Sequence, residues 1–279
     1  MLIQLWHSHS FDFTSYKRPS LMRRIEKRMQ MLPIFGYNNY GDYLKENPGE
    51  FNHLFSLIEI NVTSFFRDTQ VWNYIATQII PPIIASKSET EPIRIWSAGC
   101  ASGEEIYTLA IILAEALGIE EFLARVKIFA TDIDNDVLQQ ARKGVYNVNT
   151  VANITPTRLN NYFNPVDNCY IFHRHLKQNI IFSQHNLIKD APMSKIDLLV
   201  CRNVLIYLNI DAQIRALARF YFGLTDKGFL CLGKAEMLPI KSTHLFTPIN
   251  LQNHIFTKVP KPEVDQYLLH QSLGTPPLN

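Results

Sequence analysis

Apolar positions along the chain follow two regimes. Over the first ~60 residues they recur at helical spacing: Leu21, Ile25, Met29 and Leu32 lie four, four and three positions apart and make one helix face. A turn around Gly36 and Gly41 leads into a short helix over 42–46, Asn47-Pro48-Gly49 breaks it, and another helix is predicted over 50–59. A helical stretch over 70–80 stops at Pro81-Pro82. From residue 93 onward, short apolar runs alternate with amphipathic helices. Strand 93–97 runs through the small-residue turn Ala98-Gly99-Cys100-Ala101-Ser102-Gly103 into a helix carrying Ile106, Leu109, Ala110, Leu113 and Leu117 on one face.

The alternation continues to the end. Strand 126–130 ends in Thr131-Asp132-Ile133-Asp134, and a helix over 136–143 closes at Gly144. A helical piece over 156–163 precedes two strand-like runs, 170–176 and 179–183, read as an antiparallel hairpin turning at Lys177-Gln178. The almost wholly apolar run 196–201 suits a central parallel strand. A helix over 211–224 and strands over 229–233 and 253–259 complete the pattern. Strands alternating with helices give an α/β, doubly wound sheet behind a small helical N-terminal domain. The boundary falls between residues 60 and 92. The helical domain with its linker is drawn as 1–80, the α/β domain as 81–260 with an antiparallel insertion at about 168–183, and 261–279 as a proline-bearing tail.

Composition narrows the class. With 47% hydrophobic and 19% charged residues and a net charge of +2, the chain reads as globular, without the charge excess that nucleic-acid binding calls for. No window approaches the ~20 apolar residues of a membrane span, and residues 1–13 lack a basic stretch followed by an apolar core. Cys100, Cys169, Cys201 and Cys231 form no CxxC pair, so reduced thiols without zinc are expected, as in a cytoplasmic protein. His173 and His175 share a strand face but find no third ligand at useful spacing, and no metal site is expected. Arg24, Lys27 and Arg28, with Lys17 and Arg18 upstream, give the first helix a basic face, which is either a solvated surface or a docking face for an acidic partner.

A strand passing through glycines into a helix directs backbone N–H groups and a positive helix end at the crevice above the sheet. A dinucleotide site wants G-x-G-x-x-G with an acid ~20 residues on. Here the turn is Gly99-x-x-x-Gly103 and Asp132 arrives later than that, which favours a methyl donor lacking a pyrophosphate.

Five stretches in order, N-V-T-S-F-F-R-D (61–68), G-C-A-S-G-E-E-I-Y-T (99–108), T-D-I-D (131–134), H-N-L (185–187) and C-R-N-V-L-I-Y-L (201–208), resemble the CheR family, from about Leu21 to Val259. The family comprises S-adenosylmethionine-dependent methyltransferases that esterify glutamates on bacterial chemoreceptors. The resemblance implies a Rossmann-like methyltransferase fold with a small antiparallel β-subdomain, S-adenosyl-L-methionine as cofactor and S-adenosylhomocysteine as product. It implies donor contacts from Asn61, Thr63 and Arg67, from Glu104 or Glu105, from Asp132 at the ribose, from Asn186 and Leu187 at the adenine, and from Arg202 and Asn203 near the methionine end. Arg67 and Tyr207 are implied beside the reacting groups, and the basic helix with Arg24, Lys27 and Arg28 as the surface for chemoreceptor helices. The short loop with Asn164-Pro165-Val166-Asp167 points to a member that does not rely on tethering to a receptor peptide. The phrase Asp190-Ala191-Pro192-Met193-Ser194 resembles hybrid sensor members and leaves an alternative open, an inactive or regulatory donor-binding module of a larger signalling protein.

Overall fold

The computed structural model describes residues 13–58 and 61–260. The start of the chain, Glu59 of the predicted third helix and the tail 261–279 lie outside the described residues. Two compact units are formed, one running to Asn61 and including Leu205–Gln213, the other from Val62 to Val204 and from Ile214 onward.

In the first unit three helices pack together: α1 (Arg18–Met31), α2 (Tyr37–Glu46) and α3 (Glu50–Ile58). The predicted apolar stripe is the buried one, with Leu21, Ile25 and Met29 inside. Helix α2 begins five residues before the predicted start and carries Gly41 within it, because Tyr40 and Leu44 supply a buried face that outweighs the glycine's cost in a helix interior. The basic face requires a correction. Arg24 is buried, and its Nη1 donates to the Leu57 and Ile58 carbonyls at the end of α3, so it closes that helix instead of facing solvent. Arg28 is held at 2.7 Å by both oxygens of Glu50, and only Lys27 of the three is exposed. A cleft of about 760 Å³ lies instead beside the start of α1, lined by Lys17, Arg18, Ser20, Arg23, Asn209 and Ile210.

Glu50 also accepts the Tyr40 hydroxyl at 2.9 Å. Burial raises its pKa, but the Arg28 and Tyr40 hydrogen bonds outweigh this and hold the carboxyl below its ordinary value. A depressed folded-state pKa means that the stabilisation is present above the ordinary carboxylate range and is lost as pH falls through it. Glu50→Gln is expected to cost about 1–3 kcal/mol at pH 7, and thermal melts between pH 7 and 3 should show a flatter acid limb than the parent.

In the second unit the sheet order is β6-β2-β1-β7-β8-β10-β9. Strands β1 (Ile93–Ala98), β2 (Val126–Asp132), β6 (Ile180–Gln184), β7 (Ile196–Cys201) and β8 (Leu224–Leu232) are parallel. Antiparallel β10 (Ile255–Lys258) and β9 (Phe246–Asn250) extend one edge. Every residue of β7 is buried, as its apolar run requires. Strand order reverses between β1 and β7, which opens a crevice at their carboxyl ends.

The small antiparallel sheet exists, but its membership differs from the predicted hairpin. It pairs β3 (Val145–Asn147), β5 (Cys169–Phe172) and β4 (Phe163–Val166), whereas β6 joins β2 in the main sheet. Residues 173–176, expected to continue the strand, turn into a short helix at Arg174–Lys177 that buries Leu176. His173 and His175 leave the strand there with their rings 5.4 Å apart. Among the described residues no group of three or more His, Cys, Asp and Glu could hold a metal.

Pro81-Pro82 does not end its helix. After α4 (Thr69–Tyr74) a π-helical turn, Ile75–Ile79, widens the ladder, and the prolines fall in the first turn of α5 (Ile80–Ala85), where their missing N–H groups are harmless. Among the described residues no helix is long and apolar enough to cross a membrane.

Candidate functional site

The crevice of the second unit is built from loop tips at the carboxyl edge of the sheet. The turn after β1 takes Gly99 to φ 82° and Gly103 to φ 100° before α6 (Glu104–Leu117) begins. A Cβ on Gly99 would lie 2.3 Å from a Val204 methyl, so the turn and the tip of β7 are in contact only because residue 99 has no side chain. The amides of Gly99 and Cys100 both donate to the Thr131 carbonyl, at 2.8 and 2.9 Å, which ties the turn to β2.

Asp132 ends β2 and is buried. Its Oδ2 accepts the Ala101 amide of the glycine turn at 2.8 Å and its Oδ1 the Asp134 amide at 3.0 Å. Burial pushes its pKa up, opposed by those backbone hydrogen bonds. A carboxylate offers about four lone-pair directions, so a ligand's hydroxyls still find acceptors there. Strand β6 brings in its neighbours: the His185 amide donates to the Asp132 carbonyl at 2.9 Å, and Asn186 and Leu187 follow. Asn186 Oδ1 caps its own turn by accepting from the Ile188 and Lys189 amides, which leaves its NH₂ as the group free to read a ligand.

At the strand-order reversal stands a network of buried charge. The Arg202 side chain, 2% exposed, donates through Nη2 to Asp68 Oδ2 at 2.5 Å and to the Arg67 carbonyl at 3.1 Å. Its Nη1 lies 3.6 Å from Glu105 Oε2, and its guanidinium lies 5.2 Å from the centre of the Trp72 ring. Ser97 of β1 donates to the other Glu105 oxygen at 2.9 Å, whereas Glu104 accepts from Ser102 at 2.7 Å. Burial raises the pKa of both glutamates; at Glu105 Arg202 is the leading opposing influence. Lys234, after β8, completes the network by pairing with Asp68 Oδ1 at 2.9 Å.

The segment that carries Thr63 and Arg67, both half-buried, is fixed from two sides. The Phe66 amide donates to Thr108 Oγ1 on α6 at 3.1 Å. Phe65 packs edge-on against Tyr146 of β3 and Phe163 of β4, with ring centres 4.9 and 5.6 Å away. Tyr146 in turn donates its hydroxyl to the Ser102 carbonyl at 2.8 Å. Arg67 Nη1 holds the Val62 carbonyl at 2.9 Å.

Thus Thr63, Arg67, Glu104, Glu105, Asp132, Asn186, Leu187, Arg202 and Asn203 all belong to the second unit. Asn61 and Tyr207 belong to the first. Within the first unit, the Tyr207 ring carries the Arg24 guanidinium 5.3 Å from its centre, and the Tyr207 carbonyl accepts the Lys17 amide at 2.8 Å.

Sequence reasoning missed two acids. Asp68 closes the N-V-T-S-F-F-R-D stretch, but its partner Arg202 lies 134 residues away. Glu236 carried one signal, that it is the sole acid between residues 227 and 260. Buried, it accepts the amides of Gly233 and Asn203 on Oε2 at 2.5 and 3.0 Å, and that of Val204 on Oε1 at 2.8 Å. It thereby fixes the β7 tip, where Asn203 has φ 62°.

The arrangement fits a donor with ribose hydroxyls and an amino-acid end. The glycine cradle, the Asp132 carboxylate and the buried Arg202 Nε, which finds no acceptor among the described residues, lie at one sheet edge. Comparison with known proteins agrees. The family described as "CheR methyltransferase, SAM binding domain" matches residues 61–255, and "CheR methyltransferase, all-alpha domain" matches residues 5–58. The chain is 31% identical over 263 residues to the "Putative methyltransferase Cher3" of Pseudomonas putida, covering 91% of this chain and 93% of that one. It is 32% identical over 235 residues to the "Chemotaxis protein methyltransferase" of Salmonella typhimurium, covering 79% and 76% respectively. A third relative, an "Uncharacterized 104.1 kDa protein in hypE 3'region" of Rhodobacter capsulatus, is 35% identical over 231 residues; these cover 83% of this chain but only 24% of that longer protein. With both family domains matched in order, and the glycine turn, Asp132 and Arg202 gathered at one sheet edge, the chain belongs to the CheR methyltransferase family, with the S-adenosylmethionine-binding domain that defines it.

Proposed function

We propose that the chain transfers the methyl group of S-adenosylmethionine to glutamate side chains of chemoreceptors, giving glutamate methyl esters. The observation that carries this reading is the Asp68–Arg202–Glu105 network at the strand-order reversal, set beside an Asp132 locked to the glycine turn. S-adenosylmethionine supplies an electrophilic methyl group on a cationic sulfur when bound. Asp132 takes the ribose hydroxyls, the Asn186 NH₂ and Leu187 the adenine, and Arg202 Nε the carboxylate of the amino-acid end. Of the two glutamates we assign the donor contact to Glu105, since its carboxylate lies between Ser97 of β1 and Arg202 just after β7, whereas that of Glu104 is turned to Ser102 within the loop.

The acceptor carboxylate is already ionised near pH 7, so the transfer needs alignment and exclusion of water in place of a general base. Charge is annihilated as the new bond forms. A tight cationic partner on the acceptor would therefore stabilise the ground state more than the transition state. Arg67 and Tyr207 are cast as orienting hydrogen-bond donors. Within the first unit, the cleft beside Lys17, Arg18 and Arg23, together with exposed Lys27, replaces Arg24 and Arg28 as the basic surface offered to the receptor.

Incubation with methyl-labelled donor and chemoreceptor cytoplasmic fragments tests the reading. Base-labile label on glutamate is expected, with Arg67→Ala at least tenfold slower at saturating donor while remaining folded. Donor binding without transfer would favour the second reading, a regulatory module of a larger protein, which the 104.1 kDa relative recommends because its similarity to this chain occupies only 24% of its length.

A further inference from the structure

The loop following β8 has a rigid base and a bare apolar tip. Its base is held by the three amides that Glu236 accepts, by the Glu236 amide donating to the Gly233 carbonyl at 2.9 Å, and by the contact of His254 Nδ1 with the Glu236 carbonyl at 2.7 Å. Lys234 ties the same base to Asp68, whose other oxygen holds Arg202. Beyond this anchor Met237 is 80% exposed and Ile240 90%. A soluble surface rarely holds two large apolar side chains so far out on a pinned loop without a use for them. The segment that carries them is basic in sequence, although Lys234 is paired with Asp68 and Lys258 with Asp226, so that Lys241, next to Ile240, is the lysine at the tip. Between residues 227 and 260 the chain carries Lys227, Lys234, Lys241 and Lys258, and its sole acid, Glu236, is buried.

We propose that Lys234–Lys241 is a docking lip for the methyl-accepting segment, which it grips as an acidic amphipathic helix: Met237 and Ile240 meet its apolar stripe, and Lys241 its carboxylates. The proposal rests on the function proposed above and deepens it, because the lip fixes how the acceptor helix lies over the donor crevice. The occupant follows from charge complementarity. A basic, apolar lip suits an acidic helix, and the Lys234–Asp68–Arg202 chain places whatever docks there next to the donor site. An anionic membrane would satisfy the same charge but would gain nothing from that placement.

The test uses the full chain with Met237→Ser/Ile240→Ser and, separately, Lys241→Glu. Each variant should raise KM for a receptor cytoplasmic fragment at least fivefold, leave kcat at saturating fragment within twofold, and leave S-adenosylhomocysteine affinity by calorimetry unchanged. Wild-type transfer combined with an unaltered KM in both variants would overturn the lip while leaving the proposed function standing. Loss of donor affinity would also overturn it, by assigning the loop to the donor pocket. So would binding of the wild type to phosphatidylserine vesicles that Met237→Ser/Ile240→Ser abolishes, since the occupant would then be lipid. No transfer by the wild type to any fragment sinks both readings together.

Discussion

Arg202→Ala should lower methyl transfer at least a hundredfold and, separately, reduce unfolding free energy by about 3–5 kcal/mol. The two losses have different origins. Arg202 is the cation that compensates Asp68 and the buried Glu105, and removing one partner leaves a carboxylate in the interior with its attraction gone and its desolvation intact. The same side chain holds the Arg67 carbonyl, so the turn bearing Thr63 and Arg67 loses its tie to β7. A hundredfold loss corresponds to about 2.7 kcal/mol of transition-state stabilisation. A triple variant, Arg202→Met with Glu105→Gln and Asp68→Asn, separates the origins. It should regain most of the stability in urea unfolding, because no buried charge is left uncompensated and Lys234, which loses Asp68, is half exposed to water, and recover none of the transfer. Restored transfer in the triple variant would show that the network serves folding alone.

Gly99→Ala should weaken S-adenosylhomocysteine binding at least tenfold and cost about 2–5 kcal/mol of stability, combining left-handed backbone strain with overpacking. The added methyl would lie 2.3 Å from a Val204 methyl, and Val204 cannot retreat freely because its amide is held by Glu236. The turn must therefore shift, which moves the Ala101 amide away from Asp132. Gly118→Ala is the control. Its φ is also 82°, but a Cβ there meets nothing within 4 Å. Strain without collision should cost about 1–3 kcal/mol and leave donor affinity, measured by calorimetric titration, at the parent value. Equal loss of affinity in both variants would place the effect in general stability.

Local pattern revealed most of the elements, and the failures share a cause. The helix of the first unit, the glycine turn, β7 and the helix after β2 each declare themselves within a dozen residues, through periodicity or a cap such as Gly144. Residues 179–183 read as one arm of a hairpin because their neighbour in sequence is another strand-like run, yet the partner of β6 is β2, some fifty residues earlier. Arg24 looked like its neighbours Lys27 and Arg28; that it faces the carbonyls ending α3 depends on how the helices pack. The prolines at 81 and 82 read as a stop because a π-helical turn leaves no mark in propensity. At the candidate site, the place of Asp132 at a strand end is legible from local pattern, and Arg202 is singled out by the resemblance of its motif. The pairing of Arg202 with Asp68 and the triple acceptance by Glu236 are not legible, since both join loops far apart in sequence.

Tyr146 has a consequence for modularity. It belongs to the small antiparallel sheet, yet its hydroxyl holds the Ser102 carbonyl and its ring supports Phe65. The small sheet is therefore not an appendage that could be exchanged between relatives by cutting at its borders. A graft that omits the Tyr146 and Phe163 side chains removes the backing from the Phe65 segment and from the glycine turn, and transplanting the subdomain becomes a redesign of both loops.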